Sequence, residues 1–161
     1  MDWETRVRRV TVAGLPAAGA RAAGGRAADA AVERDGTGRI VAVRSGSGTF
    51  PVVACAADAG LDAVLADLDV LDLLEDGLPA LMVIEAGSPS GHVPGDVLER
   101  HLLEYLPDAG AMGAAALDGD LRPPQALELT CTTCATLNTV LVYVRGRTLC
   151  VQGHPLEVDW T

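Results

Sequence analysis

The chain contains no lysine, so all twelve of its basic residues are arginine. It also has only five aromatic residues in 161. A core made with so few rings has to be assembled from small aliphatic side chains, chiefly alanine and valine. No apolar run approaches the roughly 18 residues that a membrane-spanning helix needs. The start, Met-Asp-Trp-Glu-Thr, lacks a basic segment followed by a hydrophobic one, so no secretory signal is expected and a cytoplasmic location follows. Catalytic company is thin as well. The three histidines are His92, His101 and His154. Ser45, Ser47, Ser88 and Ser90 sit in glycine- and proline-rich turns without a nucleophile-elbow context. The glycine-rich stretch 14–25 does not fit a phosphate-cradling loop. No set of residues meets the minimum for an active site, and an enzyme is not expected.

What is present is an uneven charge. The net charge is −10. Residues 1–44 hold eight arginines against five acids, whereas the remainder holds four against seventeen. An acidic body repels nucleic acid at long range, which argues against DNA or RNA as a partner. The basic start reads as a solvated or partner-facing arm.

The apolar pattern divides the rest. Residues 3–13 suit a strand or a short helix, and a helix is plausible over 26–34. R-I-V-A-V-R (39–44) reads as a strand. F-P-V-V-A-C (50–55) reads as a buried strand with Cys55 in the core. Residues 61–74 carry leucines and valines at helical spacing with an acidic outer face, and Gly77 and Pro79 end that helix. A-L-M-V-I-E (80–85) is a second buried strand, 86–91 a turn, and His92-Val93 a short strand with His92 at the surface or half-buried. Residues 95–106 form a second helix that Asp96 is placed to cap. Residues 107–125 are rich in Ala, Gly, Asp and Pro and read as a linker. Beyond them, 126–131, 138–144 and 155–160 read as three short β segments, with R-G-R (145–147) as a hairpin turn.

Those last segments thread Cys131, Cys134, Cys150 and His154, a C-x2-C-x15-C-x3-H arrangement. Two close pairs of soft ligands a hairpin apart match the spacing of a tetrahedral structural zinc site. Four protein ligands leave no open position for a catalytic water, so a structural role is expected. A segment of about 35 residues cannot bury enough core to fold alone, and the metal supplies what is missing. Two other readings remain: a reduced cysteine pair without metal, and a dithiol redox protein using Cys131 and Cys134.

Residues 126–160 resemble a zinc ribbon. They depart from its common knuckle in having Ala135, not glycine, after the first pair, and a histidine as fourth ligand. Residues 50–106 resemble a CBS motif, through P-V-V-A-C-A-A-D-A-G-L-D-A-V-L, G-L-P-A-L-M-V-I-E and G-H-V-P-G-D-V-L. That resemblance implies a strand–helix–strand–strand–helix unit that senses a small ligand, often an adenine nucleotide, or pairs with a second copy. In the family a Thr and an Asp near the last step contact a ribose. Here Pro94 takes the threonine-like place and Asp96 comes one residue early, so Asp96 is either a cofactor-binding residue or only a helix cap. The partner copy would come from a degenerate half within residues 1–49 or from a second chain, giving a dimer.

The expectation is therefore an α+β protein. It comprises a basic segment over 1–49, a CBS-like α/β domain over 50–106, a linker over 107–125 and a β-rich zinc ribbon over 126–161. Its expected role is regulatory or adaptor, with zinc bound and self-association or a protein partner implied. A pure interaction module without ligand binding is the alternative.

Overall fold

The computed structural model describes residues 6–11, 29–105 and 126–161. The glycine-rich stretch 14–25 and the expected linker 107–125 lie outside them. The described residues form the α+β fold that the sequence led us to expect. In chain order they are α1 (Val7–Val10), β1 (Ala31–Arg34), β2 (Ile40–Ser45), β3 (Gly48–Pro51), β4 (Val53–Ala56), α2 (Leu61–Leu65) and α3 (Leu68–Glu75). Then follow β5 (Ala80–Glu85), β6 (Ser88–Pro94), α4 (Gly95–Tyr105), β7 (Leu127–Thr130), β8 (Leu137–Val140) and β9 (Val142–Val144). None of the described helices is long and apolar enough to cross a membrane.

The centre is a four-stranded sheet in the order β6-β5-β4-β9. β4 and β5 are parallel, joined by the α2–α3 crossover, while β6 and β9 run antiparallel on the two edges. Central strands buried on both faces need no polar alternation, and this explains the unbroken apolar runs V-A-C-A and A-L-M-V-I. One face carries Val53, Cys55, Leu81, Val83, Val142 and Val144, packed on Leu61, Val64, Val70, Leu73 and Leu98 of the helices. The other face carries Ala54, Met82, Ile84 and Tyr143 and is covered by Val32, Ile40, Leu127, Leu129, Leu156 and Trp160. Tyr143 meets Trp160 edge to face at 5.3 Å, and its hydroxyl donates to the Leu156 carbonyl at 3.0 Å. Residues 126–161, expected as a ribbon of its own, thus supply both an edge strand and half of one core layer.

Several expected elements are divided in two. The strand over 50–55 breaks at Val52, because β3 pairs with β2 in a three-stranded sheet whereas β4 belongs to the central one. The strand over 138–144 breaks at Leu141 for the same reason: β8 pairs with β7, and β9 with β4. The helix over 61–74 breaks at Asp67, whose carboxylate accepts the N–H groups of Asp69 (3.0 Å) and Val70 (3.2 Å) and so starts α3 afresh. Residues 31–34, placed in a helix by the sequence reading, are strand β1, held by antiparallel pairing with β2. Residues 155–160 form no strand; Pro155 makes an isolated bridge to Leu149, and the Trp160 carbonyl accepts from Ile40 N–H at 2.8 Å.

Residues 6–8 of the basic start are docked, where a solvated or partner-facing arm was expected. Val7 is fully buried, and the Val7 and Arg8 N–H groups donate to the Ala59 and Ala57 carbonyls. Arg6 donates to the Asp58 carbonyl at 2.8 Å, and Arg8 pairs with Asp58 and Glu85.

The strand β6 is longer than the two residues expected, because Ala86 and Gly87 alone make the turn from β5, pairing Glu85 with Ser88. Both have positive φ, 50° and 79°. That is the two-residue hairpin loop in which Asn-Gly is the preferred pair. Replacing Ala86 with asparagine is expected to stabilise the protein by about 0.5–1 kcal/mol, since asparagine tolerates the left-handed region better than alanine. For a chain of this length that raises the melting temperature by about 1–4 °C. A thermal melt reads it, and a lower melting temperature would contradict the turn assignment.

Candidate metal centre

Two tight turns carry the four candidate ligands. The first lies between β7 and β8. There Cys131 N–H donates to the Thr136 carbonyl and Ala135 N–H to the Cys131 carbonyl, both at 2.9 Å. Ala135 has φ 56°, so it adopts the left-handed conformation for which a knuckle glycine is normally chosen. The second turn follows β9. Cys150 N–H donates to the His154 carbonyl and Gly153 N–H to the Cys150 carbonyl, both at 2.8 Å, with Gly153 at φ 83°. The Leu149–Pro155 bridge closes its neck.

The ligand atoms of Cys131, Cys134, Cys150 and His154 all lie within 4.8 Å of one another. A tetrahedral ion with metal–sulfur bonds of about 2.3 Å and metal–nitrogen bonds of about 2.0–2.1 Å requires sulfur–sulfur edges of about 3.8 Å and sulfur–nitrogen edges of about 3.6 Å. Cys134 Sγ lies 3.9 Å from Cys150 Sγ, and Cys150 Sγ lies 3.5 Å from His154 Nδ1. The cluster therefore has the size of a single coordination tetrahedron. The same sulfur–sulfur separation is nearly twice a disulfide bond, and all four cysteines are free thiols.

The surroundings differ from ligand to ligand. Cys131 and Cys150 are buried and belong to the apolar layer beneath the central sheet. Burial pushes the Cys150 thiol above its ordinary range. Cys134 is half-buried, and donors to its sulfur from the Thr136 hydroxyl and backbone, then from His154, bring its pKa down to about 6. Those donors favour its thiolate form. Cys55 stands apart in the helical core layer, where desolvation pushes it up to about 12. It is an inert core residue, as the apolar run around it suggests.

Asn138 escaped the sequence reading. It is buried on β8, and its side chain spans the two turns. Its Nδ2 donates to the Thr136 carbonyl at 2.8 Å and the Leu129 carbonyl at 3.3 Å, and its Oδ1 accepts from Val151 N–H at 2.9 Å. An asparagine within a strand, where that residue is disfavoured, is the signal that could have exposed it. Replacing it with alanine leaves three backbone groups without their partner. The expected cost is about 2 kcal/mol of stability. Metal affinity is expected to fall by about 10–100-fold, as when an outer residue that orients ligands is lost. Competition with a chromophoric chelator measures the second effect, and unchanged affinity would make Asn138 a purely structural residue.

The other candidates are dispersed. Asp96 lies in the first turn of α4, one residue inside the helix and not in front of it as a cap would be; its Oδ1 is enclosed without a hydrogen-bond partner among the described residues. His92, expected at or near the surface, is buried on β6 opposite Met82. His101 sits on α4 with Nδ1 3.8 Å from Glu104.

No family model, curated protein or solved structure matches the chain. The class is therefore defined by the fold and the site: an α+β protein with a Cys3His cluster able to hold a metal ion.

Proposed function

We propose that the cluster binds one structural zinc ion and that the protein is a non-enzymatic regulatory or adaptor protein. Three thiolates and an imidazole select a soft or borderline ion over magnesium or calcium, and a closed set of four ligands suits a staple better than a catalyst. The carrying observation is the tetrahedral size of the cluster at the junction of the two turns. Zinc would lock the β7–β8 hairpin and the 149–155 turn together over the core layer that both cover. Elemental analysis of protein purified without added metal tests the reading: one zinc per chain is expected. Folded, metal-free protein with three reactive thiols at the site would refute it and revive the dithiol alternative at Cys131 and Cys134.

The regulatory part of the proposal concerns β4 through α4. Their order, with β4 parallel and β6 antiparallel to β5, suits the CBS-like reading, and the enclosed Asp96 Oδ1 is an acceptor that a ribose hydroxyl could satisfy. A panel of AMP, ADP and ATP in a thermal-shift assay is expected to raise the melting temperature of the wild type and not of Asp96→Asn. No shift with any nucleotide leaves the pure interaction module, self-associating or partner-bound, as the reading to retain.

A further inference from the structure

A cleft of about 870 Å³ opens on the side of the molecule away from the helices. All four residues of β7, Leu127 to Thr130, line one wall. Four consecutive residues of the tail, Glu157 to Trp160, also line it. Side chains alternate between the faces of an extended chain, so a wall that includes every residue in succession presents the edge of the backbone. Among the described residues β7 has β8 as its only sheet neighbour, so that its other edge has no partner strand among them. Ala56 and Ile84 add apolar surface from the central sheet.

The charge of this cleft is of one sign. Glu128, Glu157 and Asp159 line it, and among the described residues no arginine or histidine does. Asp159 is partly neutralised by Arg39 at 2.9 Å, whereas Glu128 and Glu157 have no ion-pair partner among the described residues. Exposed strand edges are usually blunted by a charge or a cover, and they recruit extended peptides through main-chain hydrogen bonds.

We propose that this cleft binds an extended, arginine- or lysine-bearing peptide segment of a partner protein, which pairs with the open edge of β7 and places its basic side chains against Glu128 and Glu157. The inference rests on the adaptor reading and names the chemistry of what it adapts to. It requires no nucleotide.

The probe is a synthetic Arg-Val-Arg-Val-Arg-Val-Arg peptide at about 150 mM salt, an ionic strength that screens long-range attraction to an acidic protein. Binding is expected to shift the backbone amide resonances of residues 127–130 and to slow hydrogen exchange at those that point away from β8. The same peptide N-methylated at every residue, which has no N–H to donate on either edge, is expected to bind at least about tenfold more weakly. A Glu128→Arg/Glu157→Arg variant is expected to lose binding by a similar factor while keeping its metal content. Equal binding of the N-methylated peptide, or equal binding to the double variant, would overturn the proposal in favour of diffuse charge attraction. Those amides of 127–130 that point away from β8 would overturn it too if they were already protected in the free protein, whereas the ones paired with β8 are protected in any case. Protection that is independent of concentration would mean the chain covers its own edge; protection that grows with concentration would mean a second copy does. Protein that is metal-free as purified yet binds the peptide would count against the metal reading alone.

Discussion

Stripping metal from the Cys131/Cys134/Cys150/His154 site with a chelator is expected to lower the melting temperature by about 8–16 °C. A ligand present at about a thousand times its dissociation constant stabilises the folded state by about 4 kcal/mol, and each kcal/mol moves a chain of this length by about 2–4 °C. The effect is smaller than the total unfolding seen when a small zinc finger loses its metal. Here β9, Tyr143 and Leu156 also belong to the central sheet and its core, which retain their own packing. The loss should accordingly be local. Amides of Leu137–Val140 and of residues 151–156 should exchange faster without metal, while those of β5 stay protected. Cys150→Ser should reproduce the effect, since it removes a buried ligand. Cys55→Ala, in the other core layer, should leave the metal content at one per chain. Identical melting curves with and without chelator would sink the staple.

The same site fixes a pH dependence. Metal binding displaces protons from thiols that are protonated in the metal-free protein. Cys150, pushed upward by burial, holds its proton at neutral pH, so affinity should rise with pH there. Cys134, with its pKa at about 6, releases no proton at neutral pH and begins to oppose binding only as the pH falls through about 6. Affinity should therefore fall with a steeper slope below that value than above it. In the metal-free protein the depressed Cys134 pKa acts in the same sense. Its contribution to stability is complete above the ordinary thiol range near 9.0 and is lost as the pH falls through about 6.

Local chemistry was legible in the sequence and long-range pairing was not. The ligand quartet could be read because a tetrahedral ion needs two close pairs of soft donors, and that spacing lies along the chain. β5 could be read at both ends because Pro79 and the Ala86–Gly87 turn bound it. The partner of β9 could not. A strand buried on both faces is apolar throughout, and such a run does not record that Val53 will pair with Val144 from the far end of the chain. The breaks at Val52 and Leu141 were hidden by the same uniformity, because the chain changes sheets there without a polar residue to mark it. Asp67 was visible as an acid on a helix face, but its capping role depends on the turn it closes. The tail 155–160 alternates like a strand yet forms none, since the Tyr143 hydroxyl and Ile40 N–H take its carbonyls in place of a neighbouring strand.

Gly95→Ala is expected to destabilise the protein by about 3 kcal/mol or more, with a fall in melting temperature of about 6–12 °C. A Cβ at this position would drive into the Leu78 carbonyl oxygen, with the Leu78 carbonyl carbon at 3.2 Å and the Pro79 oxygen at 3.4 Å. All three are backbone atoms and cannot rotate away as a flexible side chain would. Gly95 N–H also donates to the Pro79 carbonyl at 2.8 Å, so relieving the clash would break that bond as well. The node matters because the start of α4 is here pinned to the chain just before β5, where Leu78 and Ala80 are fully buried. Gly36→Ala is the control: a Cβ there meets nothing within 4 Å, and its melting temperature should stay within about 2 °C of wild type, the range of an ordinary surface change. Metal content separates this effect from that of the staple, since Gly95 lies at the opposite edge of the sheet from β9. Gly95→Ala protein that keeps one metal ion per chain but melts early would mean that the β5–α4 packing fails independently of residues 126–161. A variant as stable as wild type would mean that α4 does not begin against Leu78, and the enclosure of the neighbouring Asp96 carboxylate would fall with it.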